Sequence, residues 1–345
     1  MRHQAQAHGH DRRHPAGKAA TALALGALGV ASYTAAAGVA LFSIALDSRS
    51  PLSTFAHKSD PRFTRFDDSW RHSDGAATSW FLQTRQAMRL RSYDGLMLHA
   101  WRLDPDTAHP LPHCYAIVMH GYTGSPEETA PWALHYARLG FTVVCPAQRA
   151  HELSEGRYVT MGALERRDLM QWVNRIVAHD PQARILLHGN SLGAATVLLA
   201  VGDRHIAPHI AAVVADSAYV DATRQLCRSL ASALRIPQWS TGPMAWCADL
   251  LLRLRAGADL HDADVLAAVR RMTVPAFFTQ GGADVIVDPR SARRLRQAYR
   301  GTDGECLVVD GAVHTAQVET DPHAYWQAID RFLARHFPIA QQAKR

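Results

Sequence analysis

The chain is poor in cysteine and contains no Cys-x-x-Cys pair. Its five cysteines (Cys114, Cys145, Cys227, Cys247 and Cys306) are an odd, scattered set, which leaves no cysteine cluster to hold a metal. Cys114, Cys145 and Cys306 sit in or beside apolar runs and read as buried thiols. Cys227 and Cys247 share one segment, and a disulfide between them is an option only if that segment is extracytoplasmic. The chain also lacks a basic stripe interleaved with aromatics, although 37 Lys and Arg outnumber 31 Asp and Glu for a net charge of +6. Half of that excess lies within the first 18 residues, at Arg2, Arg12, Arg13 and Lys18 against Asp11. The basic balance therefore does not point to a nucleic-acid partner. There is no internal repeat and no low-complexity tract.

Charge is absent from Ala19 to Leu46. A helix of about 20 apolar residues crosses a bilayer and satisfies its own backbone groups there. Residues 19–46 are thus expected to be a transmembrane anchor, behind a basic tail (1–18) that carries His3, His8, His10 and His14. Four histidines in such a tail have no fixed geometry and read as polar rather than metal-binding. The alternative is a cleaved signal peptide, with Ala35-Ala36-Ala37 near the cleavage site and a secreted product. Arg49, Lys58, Arg62 and Arg65 follow the run, so the basic residues on its two sides balance. A short tail ahead of a long domain still favours the tail inside and the domain outside, on the cell membrane.

Setting this segment aside leaves about 300 residues with 48% hydrophobic and 20% charged composition for the whole chain, enough for one large domain with an insertion. Residues 47–84 read as a linker ending in a short helix, and 85–340 as the main domain. Short apolar runs at 96–103, 115–120, 141–145, 184–189, 210–217, 275–280 and 305–310 read as strands. Helical spacing appears between them, at 131–140, 162–178, 191–202 and 321–337. This alternation predicts an α/β fold, a mostly parallel sheet with helices on both faces. A helical insertion at about 217–265 has no strand pattern and is expected to form a cap above the carboxyl ends of the strands.

Gly189-Asn190-Ser191-Leu192-Gly193 follows a strand and opens a helix, the setting required of a nucleophile on a tight turn. Gly189 and Gly193 remove side chains that would collide with the neighbouring strand and helix. A nucleophilic serine needs a base, and the base needs an orienting carboxylate. Asp284 follows the strand 275–280, and His314 follows 305–310, in the order Ser, acid, His. Asp216 and Asp288 are competing acids. His120-Gly121-Tyr122-Thr123-Gly124 ends another strand, and Gly121 lets the turn expose backbone N–H groups. The N–H groups of Tyr122 and Leu192 are the expected oxyanion donors. His120 reads as a support for that loop, and Ser125 to Glu128 as a capping box.

These stretches (HGYTG, GNSLGAAT, GGADVIV and GAVH) resemble bacterial membrane-anchored α/β-hydrolases related to the serine aminopeptidase S33-like and esterase-like families, over residues 90–337. The resemblance implies the α/β-hydrolase fold with a helical cap, a triad of Ser191, Asp284 and His314, and an anchored enzyme facing outward. One loop departs from the family pattern Asp-x-Arg-x-His-Gly-x-Ser. Arg149, His151 and Ser154 are retained, while Ala147 and Glu152 replace Asp and Gly. If position 152 needs a positive φ, Glu is strained there.

The expected function is hydrolysis of a small-molecule carboxylic ester through an acyl-enzyme, with no cofactor and no metal. An amide or peptide hydrolase of serine aminopeptidase type uses the same machinery, and a surface interaction protein that has lost catalysis is an alternative of another class. Dehalogenase and epoxide hydrolase chemistry resemble Asp-nucleophile enzymes, whereas this elbow carries Ser. Trp239, Met244 and Trp246 are candidates either for an acyl pocket or for core packing.

Overall fold

Alternation along the strands decides what each side chain faces. In β3 (Cys114–Met119), Ala116 and Val118 enter one apolar cluster, while Ile117 and Met119 enter the other. β5 (Arg184–Asn190) and β6 (Ile210–Asp216) repeat the pattern. Leu186, Ala212 and Val214 join the first cluster, and Ile185, Leu187, Val213 and Ala215 the second. Strands buried on both faces need helices on both faces, and the chain supplies them.

The computed structural model describes residues 15–57, 75–203 and 208–339. His3, His8, His10 and His14, together with 58–74 of the expected linker, lie outside the described residues. The remaining strands are β1 (Gln86–Arg91), β2 (Met97–Leu103), β4 (Thr142–Pro146), β7 (Ala276–Gly281) and β8 (Gly304–Val309). They form one eight-stranded sheet in the order β1-β2-β4-β3-β5-β6-β7-β8. β2 is antiparallel to β1 and β4, and the pairings from β4 to β8 are parallel. β1 is a strand that the sequence reading did not name. Only Met88 and Leu90 of it are partly buried, so at the sheet's edge it carries a weak apolar signal.

α1 (Pro15–Leu41) runs into a π-helical turn, Phe42–Leu46. Within it, Leu23–Leu46 is long and apolar enough to cross a membrane, with 24 residues and a mean hydropathy of 1.6; a signal sequence satisfies the same criteria. Residues 23–33 are exposed, whereas Leu41, Phe42 and Leu46 are buried in the core. Residues 47–57 belong to the expected linker but lie against the domain. Asp47 bridges to Tyr158 and pairs with Arg157 at 2.7 Å, and Thr54 N–H donates to Ile44 O at 3.0 Å.

α2 (Gly75–Thr84), α3 (Ala130–Arg138), α4 (Glu165–His179) and α5 (Leu192–Val201) follow in turn. Every residue of α5 is buried, as its unbroken apolar sequence requires. Between β6 and β7 stand α6 (Ala222–Leu234), α7 (Gly242–Ala256) and the short α8 (Val265–Val269). α9 (Ser291–Ala298), α10 (Gln317–Thr320) and α11 (Pro322–Leu333) complete the chain. The stretch after Ser125 is a short 3-10 turn, and the Ser125 side chain makes no cap hydrogen bond. All five cysteines are free thiols; Cys114 and Cys145 are buried as expected, whereas Cys306 is exposed, which corrects its reading as a buried thiol.

Candidate active site

β5 delivers Ser191 to a turn in which its own backbone is strained, with φ +52° and ψ −111°. The turn is tight enough that a Cβ on Gly189 would lie 2.3 Å from the carbonyl group of Gly193. One on Gly193 would lie 2.3 Å from Met119 O. Only glycine fits at either position. Gly121 differs: a Cβ there would meet Ser191 Cβ at an ordinary 3.6 Å. Ser191 N–H is held by Asp216 O at 2.8 Å, which ties the elbow to β6.

Three side chains from separate loops converge at this turn. His314 Nε2 lies 2.8 Å from Ser191 Oγ, and His314 Nδ1 lies 2.7 Å from Asp284 Oδ2. Asp284 is fixed in turn by Gln280 Nε2 at 2.5 Å and by the N–H groups of Ile286 and Val287 at 2.9 Å. The carboxylate accepts from Nδ1–H and leaves Nε2 as the acceptor for the serine hydroxyl. Both Asp284 and His314 are buried.

The competing acids face elsewhere. Asp216 accepts from Ser217 Oγ at 2.8 Å, Gln317 Nε2 at 2.6 Å and Tyr325 Oη at 2.8 Å. Burial pushes its carboxyl up to about 6. Asp288 pairs with Arg290 at 2.9 Å, and that guanidinium holds its carboxyl below the usual range.

His120 has the supporting place expected for it. Nδ1 lies 2.8 Å from Gly121 O, and Nε2 accepts from Gln148 N–H at 3.0 Å. The divergent loop is braced by its retained residues. Arg149 is buried against Asp168 at 2.6 Å and Asp94 at 2.9 Å, and Ser154 Oγ donates to Ala147 O at 2.7 Å. His151 Nδ1 lies 2.9 Å from Arg149 O. Glu152 has φ +45°, the left-handed conformation that Gly would adopt without strain.

A cleft of about 710 Å³, counted with the open space at its mouth, stands over Ser191. Tyr122, Pro131, Trp132 and Ile286 give it apolar walls, and Glu128 and Glu319 add carboxylates. Trp239, Met244 and Trp246 are not among its lining residues. Trp239 is 84% and Trp246 61% exposed, while Met244 is buried. The sequence reading missed Trp132 and Glu319 as wall residues. Trp132 falls inside an amphipathic helix and Glu319 in a four-residue one, and neither pattern shows which way the side chain points.

The chain is similar in sequence or in fold to several known proteins. The family model described as serine aminopeptidase, S33, matches residues 112–255. A Bacillus subtilis (strain 168) protein, YqkD, described as uncharacterized, is 26% identical over 68% of this chain and 76% of its own length. The monoglyceride lipase of Rattus norvegicus is 25% identical over 60% of this chain and 77% of its own. The thermostable monoacylglycerol lipase of Bacillus sp. (strain H-257) is 24% identical, over 64% and 90%. Among solved structures, an esterase of Pyrococcus furiosus superposes with a TM-score of 0.59 at 21% identity, covering 74% of this chain and 94% of that one.

Proposed function

We infer that this chain is an α/β-hydrolase of serine aminopeptidase S33 type and that it hydrolyses carboxylic esters of small amphiphilic molecules through an acyl-enzyme on Ser191. The observation that carries this reading is the unbroken hydrogen-bonded line from Ser191 through His314 to Asp284 at the floor of an apolar-walled cleft. The relatives named as monoacylglycerol lipases add support for a monoacyl ester as the substrate class.

Ser191 Oγ attacks the ester carbonyl while His314 Nε2 takes the hydroxyl proton. The carbonyl oxygen becomes an oxyanion held by the N–H groups of Leu192 and Tyr122. Leu192 opens α5, where the first N–H groups have no partner within the helix. Collapse expels the alcohol, which leaves with the proton from His314. Water then repeats the sequence on the acyl-enzyme: His314 takes its proton, and the acid is released as Ser191 recovers the proton. Asp284 keeps the imidazole oriented and stabilises its charged form. His314 must be neutral to act as base, so turnover falls in acid. A chain-length series of p-nitrophenyl esters with Ser191→Ala as control tests the reading. Hydrolysis that survives Ser191→Ala, or a serine left unlabelled by a fluorophosphonate, overturns it.

The amide reading is favoured by one observation: two carboxylates, Glu128 and Glu319, line the cleft. A carboxylate there would attract the free ammonium of an aminoacyl substrate. Aminoacyl anilides run beside the esters separate the two.

α1 acts as an uncleaved anchor in this proposal, with the catalytic domain outside the cell. Retention is supported by the packing of its last turns. A Cβ on Gly38 would lie 2.3 Å from Cys247 Cβ, so helix and cap are in close contact. Protease added to intact cells tests the orientation, and a protected catalytic domain sinks it.

A further inference from the structure

The outer face of α7 is apolar where a cap helix facing water should be polar. Met244, Ala245, Ala248 and Leu252 point inward and are buried. On the opposite side Trp246, Leu250 and Leu254, four residues apart and therefore on one stripe, are 61%, 41% and 72% exposed. Trp239, in the turn leading to this helix, is 84% exposed. Single exposed apolar residues are ordinary, but a stripe of this kind marks a contact surface.

α1 indicates what covers it. Its exposed residues Leu23, Leu25, Leu28 and Val30 leave the domain as a bare apolar helix. Its last turns lie against α7, with Gly38 in contact with Met244 and Cys247. From Lys18, the last charge before the run, to Gly38 is about 20 residues, which as helix gives about 30 Å, the thickness of the hydrocarbon core. A bilayer filled by that stretch ends where α1 meets α7. The apolar stripe is then level with the membrane interface, the depth that tryptophan favours.

We propose that the α7 stripe, with Trp239, is seated in the interface of the bilayer that α1 spans, so that the cap rests on lipid instead of hanging from a tether. The proposal rests on the anchor reading above. It also bears on the substrate. α6 contacts the cleft wall through Gln225, whose side chain donates to Ile286 O at 3.1 Å. Its far end carries Leu234, 46% exposed. Seating the cap in the interface would therefore bring the cleft it touches toward a monoacyl ester that partitions there.

The test uses the full chain in vesicles of dioleoylphosphatidylcholine with one fifth dioleoylphosphatidylglycerol. Matched vesicles carry bromine on the phosphatidylcholine acyl chains, which quenches tryptophan on contact. The expected result is a loss of tryptophan fluorescence in brominated vesicles that falls to half or less in the Trp239→Phe/Trp246→Phe chain. Equal loss in both chains overturns the proposal. Tyr33→Trp, on the exposed part of α1, separates the two readings. Added quenching from position 33 with none from 239 and 246 puts α1 in lipid and removes the cap from it. No quenching from any of them removes the anchor reading as well. Unquenched tryptophans, together with a dimer that Trp246→Ser dissolves, assign the stripe to a second copy and overturn the lipid seat.

Discussion

The Tyr122 hydroxyl donates to the Ala45 carbonyl across 2.8 Å, which joins the proposed oxyanion loop to the end of the N-terminal helical segment. The Thr54 hydroxyl lies 2.7 Å from the Tyr122 hydroxyl, and Phe55 packs edge-on against the tyrosine ring at 5.4 Å. The proposed anchor and the proposed oxyanion donor thus share one residue. Tyr122→Phe keeps the ring and removes the hydroxyl. A net hydrogen bond is worth about 1 kcal/mol, so the expected melting temperature falls by about 2–4 °C. Acylation in a single turnover is expected to slow several-fold with KM little changed, because the loop's N–H loses its brace. An unchanged acylation rate uncouples the segment from the site.

The acid of the proposed triad is separable from its neighbour in the interior. Asp284→Asn disturbs the imidazole's tautomer and is expected to lower kcat by about 10⁴-fold. Asp216→Asn leaves the His314 contact in place and is expected to cost stability instead, since Ser217, Gln317 and Tyr325 all donate to that carboxylate. Steady-state kinetics beside thermal melts distinguish the two. The reverse pattern would exchange their roles.

Features that depend on a single element could be read along the chain. The strand-turn-helix around Ser191 declares itself through Gly189 and Gly193, and the buried strands through unbroken apolar runs. What depends on the meeting of distant segments could not be read. β1 is an edge strand, so only Met88 and Leu90 carry an apolar signal. The stretch 47–57 looks like a polar linker because what fixes it to the domain includes distant partners, such as Arg157 for Asp47, 110 residues away. Glu319 looks like a loop carboxylate until α10 is placed beside the cleft.

The two elbow glycines and the loop glycine Gly121 have unequal constraints. Gly193→Ala forces a Cβ to 2.3 Å from backbone, and Gly189→Ala does the same, so both are expected to yield little folded protein. Gly121→Ala meets only an ordinary contact with Ser191. It is expected to fold and to keep fluorophosphonate labelling. Equal soluble yields of the three would show that the turn relaxes.

His188 sets a limit on acid stability. It is fully buried, with Tyr136 Oη 2.7 Å from Nδ1 and Asn190 Oδ1 3.0 Å from Nε2. Burial lowers its pKa to about 3. The unfolded chain takes up a proton near 6.5 that the fold refuses, so the unfolded state binds more protons between these values. Stability from this group is therefore complete above about pH 6.5 and is lost as the pH falls toward 3. His188→Gln removes the linkage. Its melting temperature is expected to decline less steeply than that of the wild type between pH 6.5 and 4. Parallel declines would place the acid sensitivity in other groups.

Glu319 gives a pH signature to any cationic substrate. Desolvation at the cleft wall pushes its carboxyl up to about 7, although the residue as a whole remains exposed. Above that value it is charged and attracts an ammonium; below it the carboxyl is neutral and the attraction is lost. KM for aminoacyl anilides is therefore expected to rise as the pH falls through 7, while KM for neutral esters stays level. Glu319→Gln should flatten the first profile and leave the second unchanged. Since protonation of His314 lowers kcat for both substrate types alike, the ratio of the two KM values isolates the carboxylate, and a ratio independent of pH removes Glu319 from substrate recognition.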